Sequence, residues 1–276
     1  MRFRIIAFFL LLPILVSGQA GLVAIQPTSK VDYYLKLYSE TDGQQPSTQR
    51  FLSFVEKLEG KKKSFKREKD FLEFVFVKTH QLFLKRYADY PTFGEILNSG
   101  TYNCLTGTAL YALILDHFDI DYQMIETNYH IFLIAQTEQG NVLFETTDPV
   151  NGFVSNAGSI ENRIAQYKEN KNQNRDSDKT YYLYDFDLFN EVNLDQVVGL
   201  LHYNLSVSAY NQHQLTSSII ELGKAIELYQ SPRIEAFSQL IQHTVLDSDL
   251  DSATKEKYLQ IIYAIRNQPS NPTAMR

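Results

Sequence analysis

The fold is decided by one stretch of the chain, residues 102–118, which reads YNCLTGTALYALILDHF. A polar turn precedes Cys104, and closely spaced apolar residues follow it from Leu105 to Phe118. This pattern predicts a buried helix over 104–118 that begins at the cysteine. Because the free N–H groups and the dipole at that end of a helix favour a thiolate, Cys104 is a candidate nucleophile.

Two apolar segments after this helix predict a β-hairpin. HIFLIAQT occupies residues 130–137 and NVLFETT occupies residues 141–147. A three-residue loop at 138–140 places His130 opposite Asp148, where a carboxylate can hold an imidazole ring. A two-residue loop puts Asp148 on the other face, so this pairing depends on the register.

Each of the three residues also has a purely structural explanation. A lone cysteine such as Cys104 can be an inert core residue. A histidine in an apolar strand is often buried and satisfied, and Asp148 before Pro149 is a natural turn initiator. The combination points further, because a thiol, an imidazole and a carboxylate brought together form a nucleophilic triad.

Three motifs carry a resemblance to a known family. Residues 102–112 (YNCLTGTALYA), 129–130 (YH) and 145–152 (ETTDPVNG) resemble the transglutaminase-like superfamily, which has a papain-type fold. They are especially similar to a bacterial branch in which tetratricopeptide-like helices follow the core. The motifs lie in the central third of the chain.

The resemblance implies a role for each candidate residue. Cys104 would be the nucleophile, His130 the base, and Asp148 the residue that orients the imidazole ring. The superfamily includes peptidases, amidases, transamidating enzymes and members with no known catalysis. The resemblance therefore indicates a specific fold but does not indicate a specific reaction.

The composition excludes several classes of function. The 276 residues include 26 Lys and Arg against 32 Asp and Glu, and an acidic chain without a basic stripe is not typical of nucleic-acid binding. Its single cysteine excludes an intramolecular disulfide, which leaves a reactive thiol, an inert one or an intermolecular disulfide. The histidines lack metal-ligand spacing and no phosphate-binding glycine motif occurs, so we expect no metal and no cofactor.

The N-terminus has the layout of a secretory signal peptide. Arg2 and Arg4 precede the apolar run 5–16, and small residues follow at 17–20. The run is shorter than the about 20 residues that a membrane-spanning helix needs. We expect cleavage of residues 1–18 and export to the periplasm or the medium, with no stable membrane span afterwards; an uncleaved N-terminal anchor is the alternative.

The predicted fold class is α+β, with a papain/transglutaminase-like core over residues 19–187. In this core the cysteine helix packs on an antiparallel sheet that also contains a strand at 122–127. Helices are predicted at 50–58, ending before Gly60, and from 71 to about 87.

The rest of the chain is predicted to be helical. A polar loop at 168–180 and a strand at 181–186 lead into a tetratricopeptide-like region at 188–267. A tail at 268–276 is expected to be disordered. Because one such unit is too short for a repeat array, we expect these helices to pack on the core.

Two hypotheses for the function follow. The first is an exported cysteine enzyme that transfers or hydrolyses peptide or protein amides through a thioester. The second is a non-catalytic module that binds a peptide or protein in the same cleft. In either case, the C-terminal helices offer a surface for a protein partner.

Overall fold

The computed structural model of the chain describes residues 29–41, 48–169 and 187–267. The helices in these ranges are α1 (Lys30–Glu40), α2 (Gln49–Lys62), α3 (Glu68–Phe83), α4 (Phe93–Asn98), α5 (Cys104–His117), α6 (Ala157–Lys168), α7 (Leu194–Asn211), α8 (Leu215–Leu228), α9 (Pro232–Asp247) and α10 (Ser252–Arg266). The strands are β1 (Arg86–Tyr87), β2 (Thr101–Tyr102), β3 (Tyr122–Thr127), β4 (Ile131–Thr137), β5 (Gly140–Phe144), β6 (Phe153–Val154) and β7 (Phe189–Val192).

Several predicted features lie outside the described residues. They are the signal peptide at 1–18, most of the loop at 168–180, the strand at 181–186 and the tail at 268–276.

The main sheet is antiparallel, with the strand order β6-β5-β4-β3-β7. Its central strand β4 is apolar on both faces. Leu133 and Ala135 join the core that contains α5, whereas Phe132 and Ile134 pack with Ile160 of α6. The predicted α+β class, with the cysteine helix on an antiparallel sheet and helices at the C-terminal end, is confirmed.

The hairpin between β4 and β5 differs from the prediction by one residue. Thr137 pairs with Gly140, so the loop contains two residues instead of three. Gly140 has a φ of 101°, which glycine adopts at little cost, and the chain therefore reverses one residue earlier. In this register His130 does not lie opposite Asp148, and the predicted pairing was wrong.

Two helices that precede the cysteine helix in the chain end at other positions than predicted. Helix α2 continues through Gly60, which is exposed and costs too little inside a helix to end it. Helix α3 stops at Phe83, and β1 follows it. The parallel pairing of β1 with β2 places Tyr87 beside Tyr102, two residues before Cys104.

Helices α7 to α10 form the predicted helical region and share one hydrophobic core with the sheet. Val197, Leu222 and Ile241 are fully buried in that core, and α7 packs directly against α5. Helix α7 therefore packs on the cysteine helix, and α8 packs on α7. In the part of the chain that the structure describes, the helices lack the length and apolarity needed to cross a bilayer.

Candidate active site

Cys104 is the first residue of α5, and its neighbours cap that helix. The Asn103 side chain accepts from the Thr106 N–H at 3.0 Å, while the Asn103 N–H donates to the Thr106 hydroxyl at 3.0 Å. The Asn103 amide also donates to the Asp89 carbonyl at 2.9 Å. This capping box fixes the thiol at a helix N-terminus, where the dipole favours a thiolate.

The sulfur of Cys104 is hydrogen-bonded to the His130 ring and also accepts from the N–H of Ile131. Burial raises the pKa of the Cys104 thiol. The hydrogen bond from His130 and the positive charge of the His130 ring outweigh that effect, so the pKa of the thiol lies below its ordinary value. Burial lowers the pKa of His130, but its bonds to the sulfur and to Glu145, with their charges, raise it to about 10. Both shifts favour a thiolate paired with an imidazolium, and Cys104 as a residue is half-buried.

The other side of the His130 ring meets Glu145, the residue that follows β5. His130 Nε2 lies 2.6 Å from Glu145 Oε2, which leaves Nδ1 for the sulfur. Glu145 Oε1 accepts from the N–H and hydroxyl of Thr147 at 3.0 and 2.6 Å, and Oε2 also accepts from the Tyr167 hydroxyl. Burial raises the pKa of Glu145, but these bonds and the charge of His130 lower it to about 2. The carboxylate is thus ionised and held in one orientation.

Asp148 takes no part in this chain of contacts. Its Oδ1 accepts from the N–H groups of Val150 and Asn151 at 3.2 and 2.8 Å, and its Oδ2 lies 3.9 Å from the Arg163 guanidinium. The prediction that Asp148 orients the ring is therefore corrected. Asp148 shapes the turn after Glu145, and Glu145 occupies the orienting position.

The end of α5 also provides hydrogen-bond donors beside the sulfur. The first N–H groups of a helix have no acceptor within it. The Asn103 side chain accepts from the Thr106 N–H. The N–H groups of Cys104 and Leu105 therefore remain at the helix end, where a developing oxyanion can accept from them.

Half-exposed Tyr87 lies near the sulfur. Partial burial and the negative charge of Cys104 raise the pKa of the Tyr87 phenol to about 12.

Behind the site lies His80 of α3, which is buried. It lies among the rings of Phe76, Tyr102 and Tyr111, and neither ring nitrogen has a hydrogen-bond partner among the described residues. Burial lowers the pKa of His80 to about 4, although the charges of nearby carboxylates oppose the shift. His80 is therefore neutral in the folded protein at pH 7.

His80 is expected to make the protein sensitive to acid. An unfolded histidine has a pKa of about 6.5, so between pH 6.5 and 4 the unfolded chain binds a proton that the folded chain does not, and stability falls as the pH falls. His80→Leu should remove about 2–3 kcal/mol of the loss in free energy of unfolding between pH 7 and 4.5. Urea denaturation at both pH values measures this, with exposed His243→Leu as the control. An unchanged pH dependence in His80→Leu would contradict the assignment.

Three residues of the site were not identified from the sequence: Glu145, Thr147 and Tyr167. Glu145 and Thr147 lie within the motif that drew attention to Asp148, and a two-residue hairpin loop would have placed them on the His130 face. Tyr167 lies in α6, and its contact with Glu145 depends on how that helix packs over the sheet.

Comparison of the chain with family models, with curated proteins and with solved structures finds no match. Among the described residues, no group of three or more His, Cys, Asp or Glu side chains is placed to hold a metal ion.

Proposed function

We propose that the chain is a cysteine-dependent hydrolase or acyltransferase that acts on peptide or protein amides. The observation that carries this proposal is the chain of contacts from Cys104 through His130 to Glu145, with Cys104 half-buried at a helix N-terminus. A thiol, an imidazole and a carboxylate in this order are the parts that nucleophilic acyl transfer requires. The proposal includes a transglutaminase-like, papain-type core, which the motifs around these residues favour.

In the proposed first step the Cys104 thiolate attacks the carbonyl carbon of an amide. A C–S bond forms, and the carbonyl oxygen becomes an oxyanion facing the N–H groups at the start of α5. The imidazolium of His130 gives its proton to the leaving nitrogen as the C–N bond breaks, and a thioester remains. Glu145 holds the ring in place during this transfer.

In the second step neutral His130 takes a proton from water or from a primary amine. The oxygen or nitrogen attacks the thioester carbon, the C–S bond breaks, and the thiolate is restored. Water as the acceptor makes the protein a peptidase or amidase, and an amine makes it a transamidating enzyme. Export of the chain, as its N-terminal sequence predicts, would place the substrate outside the cytoplasm.

Alkylation of Cys104 by iodoacetamide tests the proposed nucleophile directly. Because the chain contains one cysteine, every adduct reports on this residue. The native protein is expected to react with a thiol pKa below the ordinary value. In His130→Ala the burial remains and the imidazolium is lost, so the thiol pKa should rise, and the rate at pH 7 should fall about tenfold for each unit by which that pKa then exceeds 7.

A second measurement identifies the acyl acceptor. The protein is incubated with a mixed peptide library, with and without cadaverine, and the products are weighed by mass spectrometry. Cleaved peptides indicate water as the acceptor, peptides that gain cadaverine indicate an amine, and Cys104→Ser should abolish both. Labelling of Cys104 only after denaturation would reject the enzyme and leave a non-catalytic binding module.

A further inference from the structure

The catalytic histidine sits at the end of a short turn between β3 and β4. The Thr127 N–H donates to the His130 carbonyl at 2.7 Å, and the His130 N–H donates to the Thr127 hydroxyl at 3.1 Å. These bonds close the turn, so the position of Thr127 determines where the His130 backbone lies. Whatever holds Thr127 therefore also holds the imidazole ring.

Thr127 is held by an arginine from the C-terminal helices. The Arg233 guanidinium, from the first turn of α9, donates to the Thr127 carbonyl and forms an ion pair with the neighbouring Glu126 at 2.9 Å. The Glu126 side chain is 2% exposed, and its second oxygen accepts from the Tyr229 hydroxyl at 2.7 Å. The Arg233 guanidinium also lies over the ring of Tyr203, 5.8 Å from its centre. Both partners of the ion pair are thus fixed by several contacts.

The geometry of this contact suits arginine, whose planar guanidinium carries several N–H donors. Burial raises the pKa of the Glu126 carboxyl, and the charge of Arg233 opposes that shift. One guanidinium serves the carboxylate and the backbone carbonyl at the same time, which a lysine ammonium does less well because it lacks this geometry. The contact therefore joins a buried charge to the backbone carbonyl of Thr127, the residue whose N–H and hydroxyl close the turn before His130.

We propose that Arg233 is a positioning residue for the active site: by holding Glu126 and the Thr127 carbonyl together, it fixes the turn that sets the His130 ring against the Cys104 sulfur. This inference rests on the proposed function. It assigns the C-terminal helices a part in the catalytic geometry, because α9 then acts on His130 through two neighbouring residues. Arg233 itself does not contact the reacting atoms.

Two variants separate positioning from simple stability. Arg233→Lys keeps the positive charge near Glu126 but removes the fork. The double variant Glu126→Gln with Arg233→Met removes both charges, so that no unpaired carboxylate stays buried. The matched control is Glu221→Gln, which removes the charge that faces His202 at 2.7 Å between α7 and α8, away from the histidine turn.

The readout is the pH dependence of Cys104 alkylation, combined with urea denaturation to show that each variant is folded. In both Arg233 variants the thiol pKa should rise by about one unit or more, and the alkylation rate at pH 6 should fall at least about tenfold. Glu221→Gln should lower the stability and leave the alkylation profile unchanged. A merely structural role for Arg233 predicts the same pattern as this control.

The outcomes are distinguishable. A lowered thiol pKa that survives in both folded Arg233 variants overturns the role of Arg233 and leaves the proposed function intact. An ordinary thiol pKa in the native protein overturns the proposed function and this inference with it. Failure of both variants to fold would make Arg233 a determinant of the whole fold and would also overturn its role as a positioning residue.

Discussion

Glu145→Gln is expected to lower the rate of acyl transfer about 10³-fold or more, by comparison with the about 10⁴-fold loss when the carboxylate of a Ser-His-Asp triad becomes an amide. The change removes the negative charge that stabilises the imidazolium of His130. It also presents an amide to Nε2, and the amide can donate as well as accept, so the neutral ring that remains after proton transfer is no longer held in one tautomer. The measurement is kcat/KM on a peptide that the native protein consumes, with Cys104 alkylation as a check on the thiolate.

Asp148→Asn is the matched control for this variant. The Asp148 carboxylate accepts from two backbone N–H groups, and an amide oxygen in its place can accept the same bonds. The rate should therefore stay within about tenfold of that of the native protein, since no charge facing His130 changes. The reverse result, with Asp148→Asn inactive and Glu145→Gln active, would contradict the triad derived from the structure.

The local parts of the fold could be predicted from the sequence. The helix that begins at Cys104 and the strand that follows His130 are encoded by neighbouring residues, through a polar cap before an apolar run and a continuous apolar segment. The short helix α4 has an equally local signal: Thr92 and Glu95 form its capping box. Because α4 has six residues, it contains too few apolar positions for a helical periodicity to be recognised in the sequence.

The carboxylate that contacts His130 could not be identified from the sequence because its position depends on one residue of register. A loop of two residues rather than three between β4 and β5 exchanges the faces of all the residues that follow. This exchange brings Glu145 to His130 and turns Asp148 away. Hydrophobic alternation does not settle such a choice here, because both faces of β4 are buried.

The long-range parts of the site have no sequence signal of their own. Tyr167 reaches Glu145 from α6, and Arg233 reaches Thr127 across more than a hundred residues. Neither residue stands in a motif, and each depends on how a helix packs over the sheet. Only the coordinates show that these side chains contact Glu145 and Thr127.

The loop that follows Glu145 yields the prediction with the largest expected effect on stability. The Gly152 N–H donates to the Asp148 carbonyl at 2.9 Å, and the Glu145 N–H donates to the Gly152 carbonyl at 2.8 Å. A Cβ at position 152 would lie 2.1 Å from the Glu145 carbonyl oxygen, 2.2 Å from that of Asp148 and 2.9 Å from the Phe76 ring. Two of these contacts are with backbone, so no side-chain rotation relieves them.

Gly152→Ala is therefore expected to lower the free energy of unfolding by about 3–5 kcal/mol, measured by urea denaturation, because the loop must open to admit the methyl group. Opening the loop moves the Glu145 backbone, so the alkylation rate of Cys104 at pH 6 should fall as well. Gly60→Ala is the control: position 60 lies inside α2 with open space around it, and alanine there should raise the stability by up to about 1 kcal/mol. A loss below about 1 kcal/mol in Gly152→Ala would contradict the closed loop, and with it the means by which the chain holds Glu145 against His130.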